Sequence, residues 1–329
     1  MHISPTWRRA AAAVAVLAGS ATGSYAADQM TIAFTTHAAA TGVFWQSVKK
    51  GFDDACATIQ ASCQIVFTQN DGSIEQQVAN MQAVIARKPD VLITSLVDNK
   101  AFVNVLTDAA KQGILVIASN VDATDGPEMG LRAAFIGQNF VPAGRILALR
   151  LADHFPKDGP IRVLIGDSAP GQNWSEQRAE GVMNGLEEWK KANPSRQVVI
   201  DKIDSSTEIA VTADRVNAYL SAHPDTTAYF EMTSNHAGVA FALKDRGVAP
   251  GKILMGGFDL VPQVLEMMKA GYVQVEIDQQ PYEQGYMPVM EGYLWKKAGI
   301  AAADINTGSA VVTPDMVDQI LQLSKAGYR

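Results

Sequence analysis

Arg178 and Asp259 are the two charged side chains best placed to work on a small molecule, and amides and hydroxyls accompany them at matching positions. Arginine offers a rigid fork of donors and keeps its charge. A carboxylate accepts from several donors at once. Asn120, Asn235 and Gln279 both donate and accept, as does the Thr233 hydroxyl. Such a mixture suits reversible hydrogen bonding to hydroxyl groups better than proton transfer. Phe44-Trp45 adds two adjacent aromatics at the opening of a helix, a surface for stacking on the apolar face of a sugar ring. One of the pair is expected in the core and at least one in a cleft.

Each of these residues has a plainer alternative. Asp98 is expected to cap the helix from Ala101, and its position also permits ligand contact. In Thr233-Ser234-Asn235-His236, at a helix start, capping accounts for at least one group. Asp259 caps, contacts ligand, or does both. Arg178 on a solvated surface is as good a reading as Arg178 in a cleft. Asn120 differs, because no helix follows at once and capping does not explain it.

Catalytic patterns are missing from the sequence. There is no Gly-x-Ser-x-Gly elbow and no phosphate-binding loop ending in Lys-Ser or Lys-Thr. His37, His154, His223 and His236 are scattered, with no His-x-x-x-His pair for zinc, and no calcium loop is present. No cofactor, metal or catalytic residue is expected.

The elements that must position these groups alternate. Thr31–Thr35, Gln64–Thr68, Val91–Thr94, Leu115–Ala118, Arg162–Ile165, Val198–Ile203, Ala228–Met232, Ile253–Phe258 and Val273–Ile277 read as strands. Several are apolar throughout, as in parallel strands covered on both faces. Amphipathic helices lie between them. In Ser73–Arg87, Ser73 and Gln76 form a capping box, and Ile74, Val78, Met81 and Ile85 share a stripe. The expected class is α/β, with two doubly wound parallel sheets. In such sheets ligands bind beyond the carboxyl ends of the strands, and the residues above are post-strand residues. Crossings at Ile136–Asn139, Asp278–Pro281 and Asp304–Ser309 divide the chain into two lobes joined by a three-segment hinge. The first lobe takes 27–137 and 280–303, the second 138–279 and 304–329.

Residues 1–26 read as a cleavable export signal. Arg8 and Arg9 precede a short apolar core at Ala10–Ala18, and Ser24-Tyr25-Ala26 supplies the small-x-small cleavage pattern. The rest of the chain contains no apolar run of the roughly 18 residues that a membrane helix needs. A net charge of −7 and the lack of a basic stripe argue against nucleic acid. Outside the cytoplasm, Cys56 and Cys63 favour a local disulfide, with two buried thiols as the alternative.

Phe44-Trp45 through Gly51, Arg178-Ala179-Glu180-Gly181, Ala222-His223-Pro224-Asp225, Gly257-Phe258-Asp259, and Gln279-Gln280-Pro281 with Gly285 occur in this order behind the export signal. In that pattern the chain resembles the exported substrate-binding proteins of sugar-importing ABC transporters, of the ribose/galactose-binding type. The resemblance implies a monomeric periplasmic clamp that binds a small sugar or polyol and delivers it to a membrane permease. Phe44 and Trp45 would clamp the ring, Arg178 would bind oxygens, Asp259 would accept from hydroxyls, and Gln279 would contact ligand from the hinge. Thr233, Ser234 or Asn235 takes the place of a ligand-binding Asn. Three departures speak against ribose itself. Gly42-Val43 replaces an Asn, Asn120-Val121 replaces an Asp-Arg pair, and Thr207 stands where an aromatic wall is usual. A sensor for a sugar-like or amino-acid-like signal and a sugar-modifying enzyme are the competing functions. A sugar-responsive transcription factor would need a DNA-binding segment where the export signal stands.

Overall fold

The computed structural model describes residues 29–308 and 310–329, so the expected export signal lies outside the described residues. The first lobe begins with β1 (Thr31–Ala39), α1 (Val43–Ile59), β2 (Ser62–Thr68), α2 (Ile74–Ile85), β3 (Val91–Thr94), α3 (Val103–Lys111), β4 (Leu115–Asn120) and β5 (Ala134–Gly137). The second contains α4 (Phe140–Ala152), β6 (Ile161–Asp167), α5 (Asn173–Ala192), β7 (Val198–Asp204), α6 (Ile209–Ala222), β8 (Ala228–Glu231), α7 (His236–Asp245), β9 (Leu254–Phe258), α8 (Pro262–Lys269) and β10 (Val275–Asp278). The chain then returns to the first lobe for α9 (Pro281–Ala298) and β11 (Ile305–Asn306), and ends in the second with β12 (Ala310–Val312) and α10 (Val317–Lys325).

Two six-stranded sheets result, ordered β11-β5-β4-β3-β1-β2 and β12-β10-β9-β8-β6-β7. All pairings are parallel except β10 with β12. In each sheet the strand order reverses beside the first strand, between β1 and β3 and between β6 and β8. These are the switch points where loops diverge and leave a crevice. β3 is wholly buried, as a strand covered by helices on both faces should be, and its one polar residue, Thr94, has its hydroxyl hydrogen-bonded by Thr35 Oγ1 at 2.9 Å.

Short strands were the least visible in the sequence. β11 and β12 span two and three residues, too few to show a period. Because β11 pairs with β5, the third crossing falls after Asn306 rather than at Asp304. Asp304 itself is tied to the first sheet, accepting from Phe135 N at 2.7 Å and Arg132 Nη1 at 3.2 Å. β1 also runs on to Ala39, four residues past the expected end, carrying polar Thr36 and His37 in buried positions.

The expected capping box does not form. Ser73 makes no side-chain cap, and Gln76 Oε1 accepts instead from Gln69 N in the preceding turn at 2.7 Å. Met81 and Ile85 are buried, with Ile74 and Val78 packed beside them. Polar Gln77 joins this face because its Nε2 donates to the Ser95 carbonyl at 2.7 Å. Cys56 and Cys63 are disulfide-bonded, with Cα atoms 6.3 Å apart, tying the end of α1 to β2.

Each lobe is braced by one helix pair in near backbone contact. A Cβ on Gly51 would lie 2.0 Å from Tyr282 O, and one on Gly285 would lie 1.9 Å from Val48 O. In the second lobe, Gly144 and Gly181 would meet Arg178 O and Val141 O at 2.3 and 2.2 Å. Only hydrogen fits there. These glycines therefore place α1 against α9 and α4 against α5, which set Phe44-Trp45 and Arg178 over the crevice.

Candidate functional site

The carboxyl ends of the two sheets face each other across a cavity of about 420 Å³. Phe44, Trp45 and Asn120 line it from the first lobe. Arg178, Thr233, Asn235 and Asp259 line it from the second, and Gln279 from the second hinge segment. The structure thus brings together eight of the nine expected contact residues. Asp98 is the exception. Its Oδ1 accepts from Lys100 N at 2.7 Å and Ala101 N at 2.8 Å, so this carboxylate caps the turn into α3 and is not among the cavity-lining residues.

Arg178 sits in the second turn of α5 and is buried. Its guanidinium lies 4.1 Å from the Phe258 ring centroid and 4.7 Å from that of Phe140, with Trp174 at 5.8 Å. Cation–π attraction compensates part of the lost hydration. Nη1 donates to Met232 O at 2.8 Å and Nη2 to Gln138 Oε1 at 3.2 Å. Burial pulls its pKa down to about 10, against the opposing effect of Asp259, and the group stays charged at neutral pH.

Asp259 follows β9 in a left-handed conformation, φ 79°. Burial pushes its carboxyl above the ordinary carboxylate value, while the Arg178 charge and a hydrogen bond from Gln279 Nε2 to Oδ1 pull it back. Asn120 ends β4, also left-handed at φ 69°, and its Nδ2 donates to Gln284 Oε1 at 2.8 Å. Gln284 Nε2 in turn donates to Gln279 O at 2.8 Å. A buried chain of amides therefore crosses the hinge from one lobe's wall to the other's.

Trp45 is the buried aromatic, edge-on to Phe34 at 6.4 Å, and Phe44 is half-buried. Asn235 spends Nδ2 on Ser206 O and Thr212 Oγ1, both at 3.2 Å. Thr233 Oγ1 accepts from Asn235 N at 3.2 Å. Thr207 lines the cavity at the expected aromatic position.

The structure adds residues that sequence reasoning left out. His37 lines the cavity, with Nδ1 2.8 Å from Ser95 Oγ and its ring edge-on to Trp45 at 5.3 Å. Burial pushes its pKa down to about 3, so the imidazole is neutral. Phe140 and Trp174 supply further ring surface. Trp174 had a legible signal, since it opens the helix after β6 as Phe44-Trp45 opens the helix after β1. Phe140 follows the first crossing, where nothing in the pattern marks a ring as inward.

The lobes also touch at the cleft. Asn173 N donates to Val97 O at 2.9 Å. Asn173 Nδ2 lies within bonding distance of Leu96 O at 3.1 Å, Asn99 Oδ1 at 2.9 Å and Asp122 O at 3.3 Å. One second-lobe residue thus fastens to the loops after β3 and β4.

The sequence profile of the periplasmic binding protein domain matches residues 32–295, spanning both lobes and the first two hinge segments. The chain belongs to that family. It is 26% identical over 308 residues to the xylose/arabinose-binding protein of Sulfolobus acidocaldarius, covering 89% of this chain and 73% of that protein. It is 24% identical over 246 residues to the D-allose-binding periplasmic protein of Escherichia coli, covering 74% and 77%. A solute-binding protein of an ABC transporter from Burkholderia graminis, solved with D-arabinose, superposes with a TM-score of 0.76 at 26% identity, covering 87% of this chain and 96% of that one. A second, from Agrobacterium vitis with α-D-tagatopyranose, gives 0.74 at 26%, covering 88% and 96%.

Proposed function

We propose that this protein captures a small sugar or polyol in the interlobe cavity and delivers it, unchanged, to the membrane permease of an ABC importer. The observation that carries the reading is the convergence of Arg178, Asp259, Asn120 and Gln279 with the aromatic surfaces of Phe44, Trp45, Phe140 and Trp174 on one cavity. Rings accept the C–H faces of a pyranose or furanose, and the polar groups take its hydroxyls. Each buried hydroxyl left unpaired costs about 1–3 kcal/mol, which is how such a site discriminates between isomers. The sugars named for the relatives, pentoses and hexoses among them, support the ligand class.

Closure completes the site. A ligand docks on one lobe, the hinge swings, and Asn173 fastens the second lobe over it. Water leaves, and charge-assisted bonds donated by Arg178 and accepted by Asp259 strengthen in the drier cavity. The closed shape then differs from the open one in the surface offered to a permease. We place the protein in the periplasm as a monomer, exported by residues 1–26. Native mass spectrometry of protein purified from its own host tests the ligand class. A co-purifying neutral mass equal to a pentose, hexose or polyol is the expected result. A chemically altered sugar accumulating on incubation would favour an enzyme instead.

A further inference from the structure

Gln284 lies at the start of α9, fully buried behind the cavity wall. Its Nε2 donates to the backbone carbonyl of Gln279 at 2.8 Å, with Thr307 Oγ1 at 3.1 Å and Gln279 Oε1 at 3.2 Å. A backbone carbonyl only accepts, and this one also receives the Thr307 hydroxyl at 2.8 Å. The Gln284 amide therefore has one permitted orientation. Its Oε1 must face Asn120, and the Asn120 atom opposite it must be the donor Nδ2, as found at 2.8 Å. The remaining Asn120 oxygen, Oδ1, is left for the cavity that this residue lines. At the other end, Gln279 Oε1 is held by Gln284 Nε2, so Gln279 must present Nε2 to Asp259, and does, at Oδ1. Among the described residues, Asp259 Oδ2 has no hydrogen-bond donor.

We propose that Gln284, which itself never reaches the cavity, is a positioning residue that dictates the donor and acceptor pattern shown to a ligand along the hinge wall. Asn120 and Asp259 present oxygen acceptors, and Gln279 retains one N–H. The ligand must bring hydroxyl donors to both ends of this wall, and an ether oxygen at either end would meet an acceptor with nothing between them. This specificity rests on the proposed reading of the cavity as a site for polyhydroxy ligands. The orientation of the amide chain does not.

Two variants separate polarity from packing. Gln284→Met keeps the length and removes both polar atoms. Gln284→Glu keeps the acceptor toward Asn120 but turns a carboxylate oxygen toward the Gln279 carbonyl. On protonation, that oxygen becomes an O–H donor and the wild-type pattern returns. The titratable and charged groups around the chain are Asp259 at its far end, which interacts with Arg178, His236 and Glu276, and Asp278 with Arg329 beside Gln280. They titrate in the wild type too, so the wild-type pH dependence is subtracted, and Gln284→Met, which adds no titratable group, serves as the control for what remains. The experiment is thermal unfolding of the ligand-free proteins at pH 8 and pH 5, followed by calorimetric titration with D-xylose, D-arabinose, D-allose and myo-inositol. The expected result is a Tm deficit for Gln284→Glu that shrinks markedly at pH 5, beside a deficit for Gln284→Met that does not. With any sugar that the wild type binds, Gln284→Met loses at least tenfold in affinity and Gln284→Glu recovers most of its loss at pH 5. A Gln284→Glu deficit equal at both pH values, or wild-type affinity in Gln284→Met, overturns the proposal. If the wild type binds none of the four, the ligand reading fails for this panel, while the unfolding data still decide the orientation of the chain.

Discussion

Asn120 and Asp259 hold the same station in the two lobes. Each stands at the end of the fourth strand of its sheet, each has a left-handed backbone, at φ 69° and 79°, and both line the cavity. Left-handed backbone costs most residues about 1–2 kcal/mol, and Asn and Asp tolerate it best. Two related lobes thus turn the chain the same way and aim one short polar side chain each at the same space. For Asp259→Asn the turn should survive while the charge is lost. Removing one charge-assisted bond of about 1.5–3 kcal/mol corresponds to roughly 10- to 100-fold weaker binding, read by titration calorimetry with little change in Tm. Equal affinity in the variant would remove Asp259 from the site.

Asn173 is expected to act on closure rather than on the ligand. Its side-chain amide spans to three first-lobe groups, and each net hydrogen bond is worth about 0.5–1.5 kcal/mol. Asn173→Ala should bind about tenfold more weakly, through faster dissociation. Small-angle scattering should show a larger radius of gyration for the variant at ligand concentrations that compact the wild type. An unchanged radius and dissociation rate would show that the lobes close without it.

The pH dependence of stability should carry the mark of His37. Its folded pKa of about 3 lies below the ordinary 6.5, so the unfolded chain binds the proton more readily. Stability from this group is full above pH 6.5 and falls as the pH drops toward 3, by up to about 5 kcal/mol. Because the ring stays neutral, ligand affinity should show no step from His37 between pH 5 and 8. Denaturant unfolding of the wild type and His37→Gln checks the sign, since the variant should show the shallower acid loss. A variant with the same acid slope would contradict the assignment.

Gly285→Ala places a methyl group 1.9 Å from the Val48 carbonyl, and neither backbone can yield without parting α1 from α9. A loss of about 1–3 kcal/mol or more is expected in chemical denaturation, with weaker binding because both Phe44-Trp45 and the second hinge segment move. Full stability would mean that the helices are not locked at this contact.

The sequence showed the sheets, the helices and the post-strand loops because apolar runs and amphipathic stripes are local signals. Val91–Thr94 was visible as a buried strand from its residue types alone. What it concealed were relationships set by tertiary contact. Ser73 and Gln76 have the spacing of a capping box, yet Gln76 found a better partner in Gln69 N. Asp98 and Asn120 both follow strands, and only the fold shows that one carboxylate is consumed by its own turn. Gln77 and Gln284 look like surface amides on helices and are buried because a carbonyl from another segment waits for each. Their partners lie 18 and 5 residues away along the chain, and only folding brings them together.

The most direct test is calorimetric titration of the intact protein, freed of co-purified ligand, against a panel of pentoses, hexoses and polyols. The account predicts one-to-one binding of at least one member with a Kd of about 1 μM or tighter, near −8 kcal/mol, and recovery of that sugar unaltered. Absence of binding across the panel, or binding undiminished when both Arg178 and Asp259 are replaced, would contradict it.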